Sequence, residues 1–324
     1  MSHYSPIVAT LASLISLAII LSSGFGKKIQ DIPNERSLHS VPIPRIGGVG
    51  MMAGVLSGWA LMAGVLAWWL ILPLTLLFVV SLFDDMRGLP VRQRLFAQLV
   101  AAAILVGGSG LFAQQGVAVA LALLLLTVWM TNLYNFMDGS DGLAGGMALF
   151  GFASYGLAAL IAHDDIFAML NFSIAAAALG FLYHNFPPAK VFMGDAGSIP
   201  LGFLAAAMGI LGWQQGDWAA WFPLLVFSPF IIDTSVTLVK RSLRGVKITE
   251  AHREHYYQRA IQMGVRHRDV AIFEYALMLF GGGLALWFRE SMFPWRALLA
   301  CACVYIFCMY QVDSRWEKIN RESE

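Results

Sequence analysis

Charged side chains are scarce in this sequence. Of its 324 residues only 13% are Asp, Glu, Lys or Arg, whereas 58% are hydrophobic and the mean hydropathy is +0.68. Soluble domains average roughly 25% charged residues, so this composition excludes an ordinary soluble domain and is typical of a polytopic membrane protein. The net charge is only +1, and nothing in it indicates a nucleic-acid partner.

Cysteine is also rare. The chain contains Cys301, Cys303 and Cys308, all in the last apolar run. No histidine or second cysteine pair accompanies them at the spacing of a zinc site. We therefore interpret them as packing residues within the membrane.

Apolar runs occupy most of the chain. About 20 apolar residues are needed to span the hydrocarbon as a helix. We predict spans near residues 5–25, 47–66, 68–83, 94–112, 116–134, 143–162, 166–184, 199–214, 219–239, 270–288 and 295–311. Because eleven spans leave about 29 residues each, no separate soluble domain fits. The sequence predicts one all-α integral-membrane domain over residues 1–324.

The distribution of basic residues predicts the orientation. No Lys or Arg precedes the first span, and Lys27 and Lys28 follow it, the reverse of a secretory signal. We therefore expect an uncleaved first helix. With the N-terminus periplasmic and the C-terminus cytoplasmic, 19 of the 21 Lys and Arg residues face the cytoplasm, and only Arg289 and Arg296 lie outside. This asymmetry follows the positive-inside rule.

Acidic residues are concentrated in the loops that this topology places in the cytoplasm. Asp84 and Asp85 follow the third span, and Asp195 precedes the eighth. Asp138 and Asp141 lie in NFMDGSDGLAGG. Each group alone also fits a structural role, such as a solvated helix end, an Asp-Gly turn or a helix cap. Their joint occurrence on consecutive loops favours a common site.

Clustered carboxylates repel one another, so a hard divalent cation is their natural partner. Mg²⁺ is typically held by one or two carboxylates plus phosphate oxygens. Glycines beside Asp138 and Asp195 allow close approach of the backbone to a ligand. We expect the amides of Gly197 and Ser198, at a helix start, to bind a phosphate, although Ser198 could also be a plain N-cap. These features indicate phosphoryl transfer between a water-soluble and a lipid phosphate.

Basic residues near these carboxylates have two interpretations. Arg87, Arg92 and Arg94 either mark the cytoplasmic side or hold the lipid phosphate. His252 and His255, three residues apart, share a helix face but are uninformative by themselves.

One carboxylate lies inside a predicted span. Asp233 is about 10 Å from Lys240 if the segment is helical. An intramembrane carboxylate is a functional candidate, and a hydrogen-bonded contact between helices is an equal alternative.

Four stretches carry a resemblance to a known family. They are DDMRGLPVRQR (84–94), NLYNFMDGSDGLAGG (132–146), NFPPAKVFMGDAGS (185–198) and HREHYYQR (252–259). In this order, on a chain with eleven predicted spans, they resemble the polyprenyl-phosphate N-acetylhexosamine-1-phosphate transferases. Members of this superfamily start the synthesis of peptidoglycan, O-antigen, enterobacterial common antigen and teichoic acid. The similarity runs from about Arg36 to Arg268.

The resemblance implies transfer of a sugar 1-phosphate from a UDP-N-acetylhexosamine to undecaprenyl phosphate, with UMP released and Mg²⁺ required. It implies an active site on the cytoplasmic face of the bacterial inner membrane, and it is compatible with a homodimer. Asp195 would ligate the metal, and Asp84 and Asp85 would serve the lipid phosphate and the metal.

The resemblance also assigns residues around the nucleotide. They are Asn135, Asp138, Asp141, Asn185, Phe192, His252 and His255. Asn185 and Phe192 match positions that contact uracil, Phe192 by stacking, and the two histidines match a loop on the nucleotide-sugar side.

Two departures bear on the substrate. The peptidoglycan enzymes carry three consecutive histidines, whereas Arg253 and Glu254 separate His252 from His255 here. The stretch HSVPIPRIGG (39–48) is of the type found in cell-surface-polysaccharide members. Both favour an enzyme of the O-antigen-initiating type, and the N-acetylated sugar stays open between GlcNAc, QuiNAc, FucNAc and others.

For the mechanism we expect direct in-line attack by the lipid phosphate, with Asp84 as base and Asp85 helping to place the metal. The alternative is prior attack by Asp138 to form an aspartyl-phosphate. A transporter or cation channel is the rival function, but transporters place binding residues near the midplane, and here the ionisable groups lie at the predicted cytoplasmic ends.

Overall fold

The computed structural model describes residues 2–24, 26, 29–33, 38, 41–247 and 252–323. Within these residues almost all regular structure is helical, which confirms the all-α class. The helices are α1 Ser5–Ser22, α2 Gly47–Ala60, α3 Trp68–Arg87, α4 Val91–Gly108, α5 Leu111–Phe136, α6 Leu143–Ile161, α7 Asp165–Asn185, α8 Asp195–Gln215, α9 Phe222–Val226, α10 Ser228–Leu243, α11 Tyr256–Gln262, α12 His267–Trp287 and α13 Trp295–Ser323. Two short strands, β1 Gln30–Asp31 and β2 Ile43–Pro44, pair antiparallel.

Nine helices in the described part of the chain are long and apolar enough to cross a membrane, so the protein is a multi-pass membrane protein. The other two predicted spans coincide with shorter elements. The span at 47–66 contains α2, with 14 residues, and the span at 219–239 contains α9 and the start of α10. The number of eleven spans and the orientation of the termini stay predictions.

The break between α9 and α10 has a local cause. Pro229 stands in the first turn of α10, where its missing amide hydrogen is tolerated. The same ring inside one continuous helix would clash with the carbonyl of Leu225. That carbonyl instead accepts a hydrogen bond from Ser228 Oγ at 2.7 Å. The chain therefore starts a new helix after Phe227.

Helix α8 lies at the centre of the bundle, with every residue from its start at Asp195 to Gly212 buried. Small residues allow its neighbours to approach closely. A Cβ on Gly202 would lie 2.7 Å from the Cα of Thr131 in α5, and a Cβ on Gly48 would lie 2.2 Å from the backbone nitrogen of Gly197. This packing places the first turn of α8 in the middle of one end of the bundle.

The segment after β2 runs beside the residues that precede α8. Phe192 N donates to Pro44 O at 2.8 Å, Gly47 N donates to Phe192 O at 2.8 Å, and Gly48 N donates to Met193 O at 2.7 Å. These bonds fix Arg45 next to the start of α8. Within the similarity region, residues 36–37, 39–40 and 248–251 lie outside the described residues; Arg36, His39 and Ser40 are among them.

Candidate active site

The first turn of α8 is capped by a carboxylate from α3. Asp85 Oδ1 accepts from Asp195 N at 3.1 Å, and Asp85 Oδ2 accepts from Ala196 N at 2.8 Å. A negative charge at a helix N-terminus satisfies free amides and stabilises the helix dipole. Gly194 precedes the helix with φ +71°, and a Cβ there would lie 2.8 Å from Asp85 Oδ2. The approach of Asp85 therefore depends on this glycine.

The predicted phosphate site at the amides of Gly197 and Ser198 is wrong. Both amides donate to Gly194 O, at 3.1 and 3.0 Å. The helix begins at Asp195, so Ser198 lies in its first turn and is not its N-cap. With Asp85 on the two preceding amides, the first four amides of α8 all have partners inside the protein.

Two arginines bridge three of the carboxylates that the sequence predicts to share a site. They are Asp84, Asp85 and Asp195. Arg45 Nη2 lies 2.8 Å from Asp195 Oδ1 and 3.0 Å from Asp85 Oδ1. Arg94 Nη1 lies 3.1 Å from Asp195 Oδ2 and 2.9 Å from Asp84 Oδ2. The carboxylate side chains are buried, whereas the side chains of Arg45 and Arg94 are 36% and 33% exposed. We call these five residues the carboxylate cluster.

Asp138 lies close enough to the carboxylate cluster for the charges of the cluster to affect its pKa. Burial raises the pKa of the Asp138 carboxyl well above its usual value; the positive charge of Arg45 opposes this shift, and the negative charges of Asp195 and Asp85 add to it. Among the described residues no hydrogen bond or ion pair reaches this carboxylate. With Asp138 included, four carboxyl groups face two guanidinium groups, so two carboxyl groups have no guanidinium partner of their own in the cluster.

Asp141 joins three segments instead of facing the carboxylate cluster. Its Oδ2 accepts from Ala189 N at 3.0 Å, and its Oδ1 lies 3.7 Å from His267 Nδ1. His267 Nδ1 also lies 3.0 Å from Ser140 Oγ, and its Nε2 lies 3.1 Å from Leu38 O. Nothing in the sequence marks His267 as a site residue, because a single histidine at the start of α12 has no motif around it.

The two asparagines predicted to bind substrate hold loops together. Asn135 Oδ1 accepts from Ser198 Oγ at 2.8 Å. Asn185 Oδ1 accepts from Gly142 N, and Asn185 Nδ2 donates to Val191 O, both at 2.9 Å. Asn185 thus links the loop after α5 to the loop before α8. Its contact with uracil stays a prediction.

Two other predicted substrate residues lie at the rim. Phe192 is partly buried in the segment that pairs with β2. Arg92 is exposed in the first turn of α4, and no partner for its side chain occurs in the described part of the chain. The contact of Phe192 with uracil and that of Arg92 with the lipid phosphate stay predictions.

Asp233 has a clear structural role, which resolves the two interpretations of this residue. Tyr256 N and Tyr257 N donate to its two oxygens at 3.0 and 3.1 Å, so Asp233 caps α11. Thr237 Oγ1 donates to Oδ1 at 3.1 Å, and His255 Nδ1 lies 3.2 Å from the same oxygen. Asp233 therefore fixes the position of His255.

The two histidines are adjacent and reach the end of α5. Their ring centroids are 4.9 Å apart, the ring of His255 stacks on Phe136 at 6.3 Å, and Tyr257 Oη donates to Phe136 O at 3.2 Å. Burial, together with the neighbouring His255 and Arg241, lowers the pKa of His252 to about 4. His252 is therefore neutral near pH 7.

Fold and site together define a multi-pass membrane protein with an acidic site at one end of its helical bundle. Residues 67–213 match the model of glycosyl transferase family 4. This range contains the first three of the four similar stretches; the fourth, at 252–259, lies beyond it.

Individual relatives define the family more narrowly. A decaprenyl-phosphate N-acetylglucosaminephosphotransferase from Mycolicibacterium smegmatis is 30% identical over 79% of this chain and 75% of its own length. A probable undecaprenyl-phosphate N-acetylglucosaminyl 1-phosphate transferase from Bacillus subtilis is 28% identical over 93% and 89%. A phospho-N-acetylmuramoyl-pentapeptide-transferase from Listeria welshimeri is 33% identical, but over only 42% and 41%. The chain belongs to the polyprenyl-phosphate N-acetylhexosamine-1-phosphate transferase family.

Proposed function

We propose that this protein transfers N-acetylglucosamine 1-phosphate from UDP-N-acetylglucosamine to undecaprenyl phosphate. An oxygen of the lipid phosphate forms a bond to the β-phosphorus, the bond from that phosphorus to the bridging oxygen breaks, and UMP leaves. The choice of sugar rests on the relatives from B. subtilis and M. smegmatis, which align with most of this chain and are named for N-acetylglucosamine. The muramoyl-pentapeptide enzyme aligns with less than half of the chain.

The observation that carries the proposal is the excess of carboxyl groups over guanidinium groups at the first turn of α8. Four carboxyl groups beside two guanidinium groups favour the binding of one divalent cation. Among the described residues no three His, Cys, Asp or Glu side chains converge as a ready metal site. This fits Mg²⁺, which is usually held by one or two carboxylates and completed by substrate phosphates. Asp195 and Asp85 would hold it, and it would neutralise charge on the transferred phosphate.

The surroundings of the aspartates also suggest which one accepts a proton. Asp84 has both oxygens engaged, by Leu89 N at 2.5 Å and by Arg94 Nη1 at 2.9 Å. Hydrogen bonds to a carboxylate favour its charged form and make it a weaker base. Asp138 has no such partner and a raised pKa. We therefore prefer Asp138 to Asp84 as the base, with Asp84 holding Arg94 in place.

The base assists only when the lipid phosphate still carries a proton. The second pKa of a phosphate monoester is near 6, so most of the acceptor is already a dianion at neutral pH. Direct attack then needs orientation more than proton transfer, and Arg92 at the rim is available for the phosphate. The covalent alternative, with Asp138 as nucleophile, would release UMP from enzyme and UDP-sugar alone.

We further propose that the lipid product starts an O-antigen-type cell-surface polysaccharide on the cytoplasmic face of the inner membrane. The support is the stretch HSVPIPRIGG and the interrupted histidine motif. No observation favours the transporter alternative, because the carboxylate cluster lies at the helix ends and not at their midpoints.

The test is UMP release by purified protein in nanodiscs with undecaprenyl phosphate, Mg²⁺ and a panel of UDP-N-acetylhexosamines. We expect UMP and sugar-phosphate lipid in equal amounts, fastest with UDP-N-acetylglucosamine and absent in excess EDTA. Intact UDP-sugar under all conditions would exclude the transferase, and UMP without lipid acceptor would establish the covalent route.

A further inference from the structure

A second cavity lies away from the carboxylate cluster, between α12 and α13, with α10 and α11 forming its inner wall. Its volume is about 340 Å³, within the roughly 300–1,000 Å³ of ligand pockets. Phe273 of α12 and Phe307 of α13 line it and are 50% and 63% exposed. Because both belong to candidate membrane spans, the cavity opens sideways towards the bilayer.

One acidic side chain in this cavity lacks a partner. Glu274 of α12 lines the cavity and is only 8% exposed, yet no hydrogen bond or ion pair to it occurs among the described residues. Burial of an unpartnered carboxyl group is unfavourable, and such residues in membrane spans mark binding sites by default. Glu274 lies seven residues after the first residue of α12, about 10 Å along the helix. Its partner must come from outside the described chain.

A free cation stands at the mouth of the same cavity. Arg315 of α13 lines it, is exposed, and has no hydrogen bond or ion pair within the described part of the protein. The other charged residue at the mouth, Asp269, is paired with Arg266 at 2.7 Å. The cavity therefore offers a cation, Arg315, near the end of α13 and a buried carboxyl group, Glu274, on α12, with exposed aromatic side chains at its open side.

These three features match the three parts of a glycerophospholipid, which are its phosphate, its ester-linked glycerol and its acyl chains. We propose that the cavity between α12 and α13 binds one such lipid. Its phosphodiester contacts Arg315, an ester carbonyl accepts a hydrogen bond from the carboxylic acid of Glu274, and one acyl chain packs against Phe273 and Phe307. The neutral acid is the form that can donate this bond.

The site also has a connection to the histidines. Asp233, Tyr256 and Tyr257 line the inner wall of the cavity, and Asp233 accepts from the amides of both tyrosines and contacts His255 Nδ1. A bound lipid would therefore contact the start of α11 and help to keep this segment in place.

The experiment is photocrosslinking in nanodiscs of phosphatidylethanolamine and phosphatidylglycerol, with trace phosphatidylglycerol carrying a diazirine on one acyl chain. Mass spectrometry then locates the adducts. We expect them on the peptides that line the cavity. Leu277→Trp, which fills the cavity from α12, should reduce these adducts at least fivefold. Leu279→Trp, on the same helix but outside the cavity and exposed, is the matched control and should leave them unchanged.

Substitutions of the two charged residues, Arg315 and Glu274, test recognition of the phospholipid separately from folding. Arg315→Ala, an exposed change, should reduce adducts from the phospholipid probe but not from a diazirine fatty alcohol that lacks phosphate. Glu274→Leu should reduce the phospholipid adducts, and Glu274→Gln, which keeps a donor, should retain most of them. Equal labelling in all variants would show ordinary bilayer contact, and crosslinks between two copies of the chain would show a protein interface; either result overturns the proposal. No readout depends on turnover, so the outcome is independent of the proposed transferase activity.

Discussion

Two helices at the same end of the bundle, α8 and α11, have their N-termini capped by an aspartate side chain. The surroundings of the two aspartates differ in charge. Asp85 accepts two backbone amides at the start of α8, and Asp233 accepts two at the start of α11. The carboxylate of Asp233 is buried, and its further partners are one histidine and one threonine. Around Asp85 four carboxylates share two guanidinium groups that are partly exposed to water.

The comparison shows that a capped helix start is not in itself evidence of a reaction site. Both caps stabilise their helices in the same way. The region of Asp85 holds more carboxyl groups than guanidinium groups, and such a region is suited to a cation and a phosphate. Asp233 has its hydrogen-bond partners within the protein, so we assign it the positioning of the histidine segment.

The largest effect is expected at Asp195. Asp195→Asn should lower kcat about 10³-fold, because it removes a proposed metal ligand and a charge from the transfer site. Its unfolding temperature should stay equal or rise, because one of several mutually repelling carboxylates is neutralised. Steady-state UMP release and thermal unfolding in detergent measure the two quantities.

Asp313 provides the matched control for Asp195. It also bridges two cations, Lys240 and Arg259, each at 2.6 Å, but it lies on α13 away from the carboxylate cluster. Asp313→Asn should change kcat less than about threefold, because partly exposed ion pairs contribute little. Similar losses of activity in both variants would remove the distinction between the regions.

The next effect concerns Asp138 as base. Asp138→Asn should lower kcat about 10²-fold, within the usual range for loss of a general base. Because burial raises the pKa of Asp138, the wild-type rate should fall as pH decreases, and the variant should lose this acidic limb. The same limb in Asp138→Asn, and its absence in Asp84→Asn, would return the role of base to Asp84.

The raised pKa of Asp138 also has a consequence for stability. A carboxyl whose folded pKa exceeds its unfolded value stabilises the protein at low pH, and this stability is lost as pH rises through the folded pKa. The unfolding temperature of the metal-free protein should therefore fall with rising pH above about 4. In Asp138→Asn the fall should be smaller. Differential scanning fluorimetry at several pH values measures the difference.

A moderate effect is expected at Phe192. If its ring stacks on uracil, Phe192→Ala should raise the KM for the UDP-sugar about tenfold, because stacking on a base is worth roughly 1–3 kcal/mol. The KM for undecaprenyl phosphate should stay constant. Equal increases for both substrates would indicate damage to the loop before α8.

The smallest effect on kcat among the site variants is expected from Asp233→Asn, at the start of α11. Asp233→Asn leaves buried donors without a full set of acceptors, so the unfolding temperature should drop clearly. At temperatures where the variant is folded, kcat should fall only a few-fold and the KM for the UDP-sugar should rise, because His255 loses its support. A 10³-fold loss of kcat in a stable Asp233→Asn protein would place chemistry in this region.

The sequence predicted the family and the membrane class, because these depend on composition and on local motifs. It also predicted a common site for Asp84, Asp85, Asp138, Asp141 and Asp195. The first two meet Asp195 in the carboxylate cluster, whereas Asp141 makes its contacts elsewhere. The sequence did not predict which atoms meet. Arg45 belongs to the stretch HSVPIPRIGG and to the basic residues that mark the cytoplasmic side, and nothing near it in the chain shows that it bridges Asp85 and Asp195.

The same limit explains the incorrect phosphate site on α8. Free amides at a helix start are expected from the local sequence. Here the amides of Gly197 and Ser198 donate to Gly194 O, because the helix begins earlier than expected. The two preceding amides donate to Asp85, which is 111 residues from Ala196 and is brought close only by the packing of α3 beside α8. The contacts of Asp233 and His267 are long-range in the same sense, so their roles were visible only in the fold.

Binding of Mn²⁺, in place of Mg²⁺, tests the central claim most directly. Electron paramagnetic resonance can count the bound ions in the presence of UDP-N-acetylglucosamine and the absence of lipid acceptor. We predict one bound Mn²⁺ per chain in the wild type and in Asp313→Asn, and none in Asp195→Asn at the same concentrations. Unchanged Mn²⁺ binding in Asp195→Asn would contradict the assignment of the carboxylate cluster as the metal-dependent transfer site.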